Sequence, residues 1–182
     1  MNAKKTRLKG CFVIEPTVFK DKRGYFFESF NNKQFQELTK FKTAFVQDNQ
    51  SYSTKGVLRG LHYQTGKYAQ AKLIRVIKGK VLDVALDIRK NSKTFGEYIA
   101  LELSEENKKQ IFIPKGFAHG FIVLSDTAIF SYKCDNYYNK ASEAGIIYND
   151  KDLNINWQLP EEQIIISEKD KILPHFKNAK LV

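Results

Sequence analysis

Between Lys80 and Arg89 the chain reads KVLDVALDIR, with Leu82, Val84, Leu86 and Ile88 on one parity and Asp83, Ala85 and Asp87 on the other. Apolar side chains at every second residue fit a strand; a helix would space them three and four apart. The pattern predicts a half-buried strand. Comparable runs are GCFVIEP, GYFFESF, TAFVQDNQSY, AKLIRVIKG, GEYIALELS, QIFIPKG, HGFIVLS and AIFSYKCDNY, most of them separated by Gly, Asn, Asp or Lys-Gly breaks. Helix is scarce. Asn31–Leu38 predicts one short helix, with Asn31 as N-cap and Phe35 and Leu38 on one face. The segment from Glu161 predicts another turn or two. Many short strands with little helix predict an all-β fold, a sandwich or a jelly roll. With no internal repeat, low-complexity linker or shift of composition, one domain over residues 1–182 is expected. A jelly roll can line its interior with side chains from several strands, which offers a natural site.

The remaining composition narrows the function classes. No apolar run approaches the roughly 20 residues of a membrane helix. The basic start, MNAKKTRLKG, has no apolar stretch behind it, so no signal peptide is expected. Cys11 and Cys134 form no C-x-x-C pair, which excludes a disulfide framework or a thiolate zinc site and predicts a reduced, cytoplasmic setting. The net charge is +10, but arginine occurs only at 7, 23, 59, 75 and 89, and the lysines are spread along the chain. Nucleic-acid readers concentrate their charge in a stripe. A small polyanion such as a nucleotide diphosphate would gain equally from this field.

Three histidines are present: His62, His119 and His175. His175, beside Pro174, reads as structural. His62 and His119 sit in Gly-flanked strand segments, GLHYQ and GFAHGF, where backbone and ligand can approach closely. There is no H-x-H or H-E-x-x-H pair, no G-x-S-x-G elbow and no Gly-rich phosphate loop, so neither a metal site nor a serine nucleophile is expected. Proton chemistry remains, with His62, Asp170, Tyr132 and Lys72 as available groups. Lys72 shares parity with Ile74 and Val76, an apolar setting in which a lysine either snorkels or is held for its charge. Tyr132 shares parity with Phe130 and Cys134 and is equally compatible with core packing. In GVLRGLHYQ, strict alternation puts Arg59 and His62 on opposite faces. If both serve one pocket, the strand must break its period, and Gly60 is the expected place for a bulge or twist.

Seven motifs in chain order, FKDKRGYFFESFN, VQDNQSYS, GVLRGLHYQ, AQAKLIRVIKGKVLDVALDIRKNSKTFG, LSEENKKQIFIPKGFAHGF, YKCDNYY and ISEKD, cover nearly the whole length. Together they resemble the dTDP-4-dehydrorhamnose 3,5-epimerase family, metal-free cupin-type jelly rolls (double-stranded β-helices) of dTDP-L-rhamnose synthesis. The resemblance implies His62 as general base, Asp170 as its carboxylate partner, Tyr132 as general acid on the opposite side of the sugar, and Lys72 near the sugar carbonyl. It implies Arg59 and His119 holding phosphate and sugar. Arg23, Phe26 and Glu28 match a nucleotide-binding segment that the family lends from the partner subunit of a homodimer. Gln47, Asp48 and Asn49 match a further binding segment, and Tyr138, Glu143 and Lys169 match positions lining nucleotide or substrate. The implied ligand is a dTDP-sugar; no cofactor, metal, nucleic acid or membrane is implied. Two loops depart from the family pattern: Gly66-Lys67 stands where a Pro-Pro pair is expected, and NKASEAG lacks the usual proline.

The implied chemistry accounts for the residue types. In a 4-keto-6-deoxy sugar, C3 and C5 both flank the C4 ketone, so their protons can be removed once the enolate is stabilised. A neutral histidine suits that task near pH 7. A tyrosine returning a proton from the other face inverts the centre. Competing readings are an epimerase acting at one centre or on another nucleotide sugar, a non-catalytic sugar-binding jelly roll, and a basic nucleic-acid binder. Binding alone would not call for a base and an acid on opposite faces.

Overall fold

The computed structural model describes residues 1–42 and 44–182. The chain forms β1 (Asn2–Lys5), β2 (Phe12–Glu15), β3 (Phe19–Asp21), β4 (Gly24–Phe26), α1 (Asn32–Thr39), β5 (Gln47–Thr54), β6 (Leu58–Gln64), β7 (Lys72–Lys78), β8 (Lys80–Asp87), β9 (Tyr98–Ser104), β10 (Gln110–Ile113), β11 (Phe117–Val123), β12 (Thr127–Cys134), β13 (Glu143–Gly145) and α2 (Glu168–Lys171). One sheet has the order β1-β2-β10-β7-β12-β5, a second β13-β6-β11-β8-β9, and among the described residues β3 pairs only with β4. Successive strands β5 and β6, β7 and β8, β10 and β11, and β12 and β13 change sheet each time, which gives the cupin-type jelly roll.

Three apolar layers hold the sheets. The middle layer packs Ile74, Ile111 and Phe130 from the first sheet against Val81, Ala85 and Phe121 from the second. The outer face of the second sheet, with Leu82, Leu86 and Ile122, is covered by Ile146, Leu153 and Trp157. The outer face of the first sheet, with Leu73 and Phe112, is covered by Phe35 of α1. Strand β8 is therefore not half-buried as its alternation suggests. Val81 through Asp87 are all buried, because β8 lies between β9 and β11 with cover on both faces. Asp83 and Asp87, read from sequence as the polar side, face inward and are held there by His119 and Arg89.

Helix α1 starts as its sequence predicts. The Asn31 side chain accepts the Gln34 N–H at 3.1 Å, and Lys40 in the left-handed region ends the helix. Phe35 is fully buried, but Leu38 is 39% exposed; Phe35 and Thr39 form the buried pair instead. Of GYFFESF only Gly24–Phe26 is strand; in the TAFVQDNQSY run, whose Thr43 lies outside the described residues, β5 begins at Gln47. Strand β1 (NAKK) escapes sequence reading because it is an exposed edge held to β2 by backbone pairing, with no apolar alternation. The segment after Glu161 forms short 3₁₀ turns and α2.

Candidate active site

Strand β6 carries the irregularity that brings two side chains to one wall. His62 registers with His119 and Arg59 with Phe121, so Gly60 and Leu61 together oppose Gly120. This bulge lets Arg59 and His62, three residues apart, both line one cavity. Gly60 sits at φ 124°. A Cβ there would lie 2.6 Å from Gly120 Cα and 2.8 Å from the His119 carbonyl oxygen, so only glycine fits.

The cavity, about 640 Å³, opens between the two sheets. Arg59 and His62 reach it from β6 and His119 from β11, all of the second sheet. Asn49, Lys72 and Tyr132 reach it from β5, β7 and β12 of the first. Tyr138 and Glu143 line it from the segment after β12, and Lys169 and Asp170 from α2. A second cavity of about 540 Å³, lined by Cys11, Phe41, Arg89 and Pro114 among others, holds no histidine. Among the described residues, no three His, Cys, Asp or Glu side chains gather as a metal site.

His62 and Asp170 are 108 residues apart in sequence and meet at 2.8 Å, Nε2 to Oδ1. The Asp170 side chain is only 5% exposed. Burial pushes its carboxyl up, but the His62 hydrogen bond and charge, the Gly60 N–H and the Ser167 contact outweigh burial and hold it below the usual carboxylate range. An ionised carboxylate only accepts, so His62 donates through Nε2–H. In the neutral ring Nδ1 is then the nitrogen without a proton. Ser167 caps α2 by accepting the Asp170 N–H at 3.2 Å, which fixes the carboxylate from behind.

Across the cavity, the Lys72 ammonium lies 5.7 Å from the centre of the Tyr132 ring. Burial pulls Lys72 below its ordinary value and raises Tyr132. His119 donates through Nε2 to Asp83 Oδ2 at 2.9 Å, and burial lowers its pKa. At the rim, Lys169 pairs with Glu143 at 2.6 Å, and the Tyr138 hydroxyl donates to the same carboxylate at 3.0 Å. The Lys169 bond depresses Glu143, while Glu143 raises both Lys169 and Tyr138.

Five expected residues do not line this cavity in the single chain. Arg23, Phe26 and Glu28 belong to the β3–β4 hairpin and the segment after it. Arg23 pairs with Asp21, Phe26 is 70% exposed, and Glu28 accepts from Gln34. The reason is topological: among the described residues β3 and β4 pair only with each other, so no ladder ties them to the sheets that wall the cavity. Asp48 points to the outer face and pairs with Lys133, because strand alternation separates it from Asn49. Gln47 lies at the rim, donating to Asn49 and accepting the Tyr138 N–H. His175 bonds Asp150 at 3.1 Å, away from the cavity. Sequence reading missed Asp83 as a site residue. Its sequence signal, a carboxylate between Leu82 and Val84, reads equally as the polar side of a half-buried strand.

The sequence matches the dTDP-4-dehydrorhamnose 3,5-epimerase family model over residues 5–178. The dTDP-4-dehydrorhamnose 3,5-epimerase of Shigella flexneri is 55% identical over 170 residues, 93% of each chain. The crystal structure of the enzyme of that name from Elizabethkingia anophelis superposes with TM-score 0.95 at 59% identity, covering 98% of this chain and 97% of that one. A Legionella pneumophila dTDP-6-deoxy-D-glucose-3,5-epimerase, solved in complex with dTDP-4-keto-L-rhamnose, superposes with TM-score 0.93 at 49% identity, covering 97% and 93%.

Proposed function

The chain belongs to the dTDP-4-dehydrorhamnose 3,5-epimerase family, and from that membership we propose how its cavity works. The protein inverts C3 and C5 of dTDP-4-dehydro-6-deoxy-D-glucose, giving dTDP-4-dehydro-L-rhamnose. One observation carries the assignment of roles: a His62–Asp170 pair at 2.8 Å on one wall faces Lys72 and Tyr132 on the other.

His62 Nδ1 takes the proton from a carbon next to the C4 ketone. Asp170 keeps the ring in the Nε2–H tautomer and stabilises the imidazolium as it forms. The Lys72 ammonium stands by the developing enolate oxygen; losing such a donor costs about 3–4 kcal/mol of barrier. Tyr132 donates a proton from the opposite sheet, which inverts the centre. Burial raises the Tyr132 pKa and so keeps the hydroxyl protonated until it is needed. Each inversion removes and returns one proton, so the balance requires no redox group. Arg59, His119 and Asn49 hold sugar and phosphate, and Tyr138, Glu143 and Lys169 form the nucleotide rim.

Arg23, Phe26 and Glu28 reach a nucleotide only if the hairpin extends into the cavity of a second copy. Its exposure and its lack of pairing to the barrel favour a homodimer that completes each site in this way. Light scattering coupled to size exclusion, on wild type and Phe26→Ala, checks that reading. The chain acts as one domain, and a nucleotide-sugar substrate with two unpaired cysteines suits the cytoplasm.

Incubation with dTDP-4-keto-6-deoxy-D-glucose in D₂O, followed by NMR, is the test. Deuterium enters at C3 and C5 with wild type and at neither with His62→Ala. Label at one carbon only would make the protein a single-centre epimerase. Retained label in His62→Ala removes that residue from its role.

A further inference from the structure

Asp83 is a fully buried carboxylate beside the cavity, and its two oxygens are treated differently. Oδ2 holds His119 Nε2 at 2.9 Å, while Oδ1 is buried and, among the described residues, has no hydrogen-bond partner. An interior carboxylate left half-satisfied is costly unless a nearby positive charge offsets it. The candidate is Lys72, on the facing sheet, which among the described residues meets no carboxylate at ion-pair distance and instead lies over Tyr132.

Burial pulls the Lys72 ammonium toward neutrality, and Cys134 and Asp83 pull it back. The Cys134 thiol is pushed up to about 11 by burial, so it carries no charge at neutral pH. Asp83 is then the remaining carboxylate that pulls Lys72 back up. The other groups around this cluster do not replace it. Asp170 is engaged by His62 and Asp87 by Arg89. Tyr132 and Cys11 are both raised by burial, Cys11 to about 12, and stay neutral. Arg59 and His62 bring no negative charge.

His119 feels burial first, which lowers it, then Asp83, which raises it, with Lys72 and His62 lowering it again. The lowered ring is neutral, its one N–H is given to Asp83 through Nε2, and Nδ1 is a bare acceptor. His119 and His62 are register partners on neighbouring strands, each tied through Nε2 to a carboxylate on a different element.

We infer that Asp83 is a positioning residue of this site: one oxygen fixes His119 with Nδ1 bare toward the cavity, and the other supplies the negative charge that keeps Lys72 an ammonium. His119 thereby accepts a hydrogen bond from a sugar hydroxyl and leaves the carbonyl to Lys72. The inference rests on the epimerase reading for its consequence in turnover, but its two structural claims can be read without turnover.

The experiment is NMR on the whole protein. At neutral pH, ¹⁵N shifts of the wild-type His119 ring show Nε2 protonated and Nδ1 bare. In Asp83→Asn the ¹³Cε titration of Lys72 moves to lower pH. The ratio of kcat/KM at pH 9 to that at pH 7 falls roughly tenfold further than in wild type, as expected for loss of a nearby opposite charge. An Nδ1–H ring or an imidazolium at wild-type His119 overturns the inference, as does a Lys72 titration unmoved in Asp83→Asn. Should Asp83→Asn not fold, the wild-type ring tautomer decides. If wild type shows no deuterium exchange into substrate, the epimerase reading fails, while the tautomer and lysine measurements still judge Asp83.

Discussion

Replacing Asp170 with asparagine tests the proposed chemistry most sharply, because the change keeps shape and removes one charge. His62 becomes an imidazolium in the transition state, 2.8 Å from a carboxylate that is 5% exposed. Two unit charges centred about 4 Å apart at an effective dielectric near 20 interact by about 4 kcal/mol. The His62 side chain is 32% exposed, and water there screens part of this. A loss of about 3–4 kcal/mol remains, which corresponds to roughly 10²–10³-fold in kcat. In the proposed mechanism the base starts as a neutral imidazole, so KM should change by less than about threefold. Binding and chemistry are separated by measuring kcat and KM, with deuterium entry at C3 and C5 read in the same samples. The fold should survive Asp170→Asn, since the amide oxygen can still accept from the Gly60 N–H and Ser167 can still cap the backbone N–H at that position. A kcat within threefold of wild type, or a loss confined to KM, would refute the argument that Asp170 acts on the charge of His62.

Three further outcomes follow from named contacts. Tyr132→Phe should still exchange deuterium from the His62 side while inverted product falls roughly 10²–10⁴-fold; equal loss of exchange and inversion would place Tyr132 elsewhere in the mechanism. Gly60→Ala must put a Cβ 2.6 Å from Gly120 Cα at φ 124°, so thermal unfolding should show a loss of about 2–4 kcal/mol, and an unchanged midpoint would mean the bulge is dispensable. Asp87 is held at about 2: burial alone would raise it, but Arg89, Ser92 and Thr94 outweigh burial. A depressed carboxyl stabilises the fold above its unfolded value near 3.8, and that contribution disappears as pH falls to about 2. Wild type should therefore lose about 2 kcal/mol of urea stability across that window beyond what Asp87→Asn loses; parallel acid limbs would contradict this.

Much of the strand inventory was legible because alternation, breaks and caps are properties of a few consecutive residues. The Asn31 cap and the inward parity of Lys72 with Ile74 and Val76 needed only local geometry. The bulge at Gly60 was also legible, since two functional side chains three apart on a strand cannot share a face without one. The identities of the candidate groups came from motifs in chain order, and ten of the fifteen named residues line the one cavity.

What sequence could not decide were partners and cover. Strand β8 reads as half-buried because its own pattern says nothing about the segment, as distant as Trp157, that covers its other face. Leu38 reads as core because helix spacing does not say how far a helix is tilted onto its sheet. The pairs His62–Asp170 and His119–Asp83 join residues 108 and 36 apart, and only tertiary structure sets which carboxylate meets which ring: the β8–β11 ladder for Asp83 and the placement of α2 beside β6 for Asp170. Side-chain type and local backbone preference, both written in the chain, settled which residues could do proton chemistry. Their protonation and direction were settled only on folding, because burial and neighbouring charge, which set both, are created when the two sheets close.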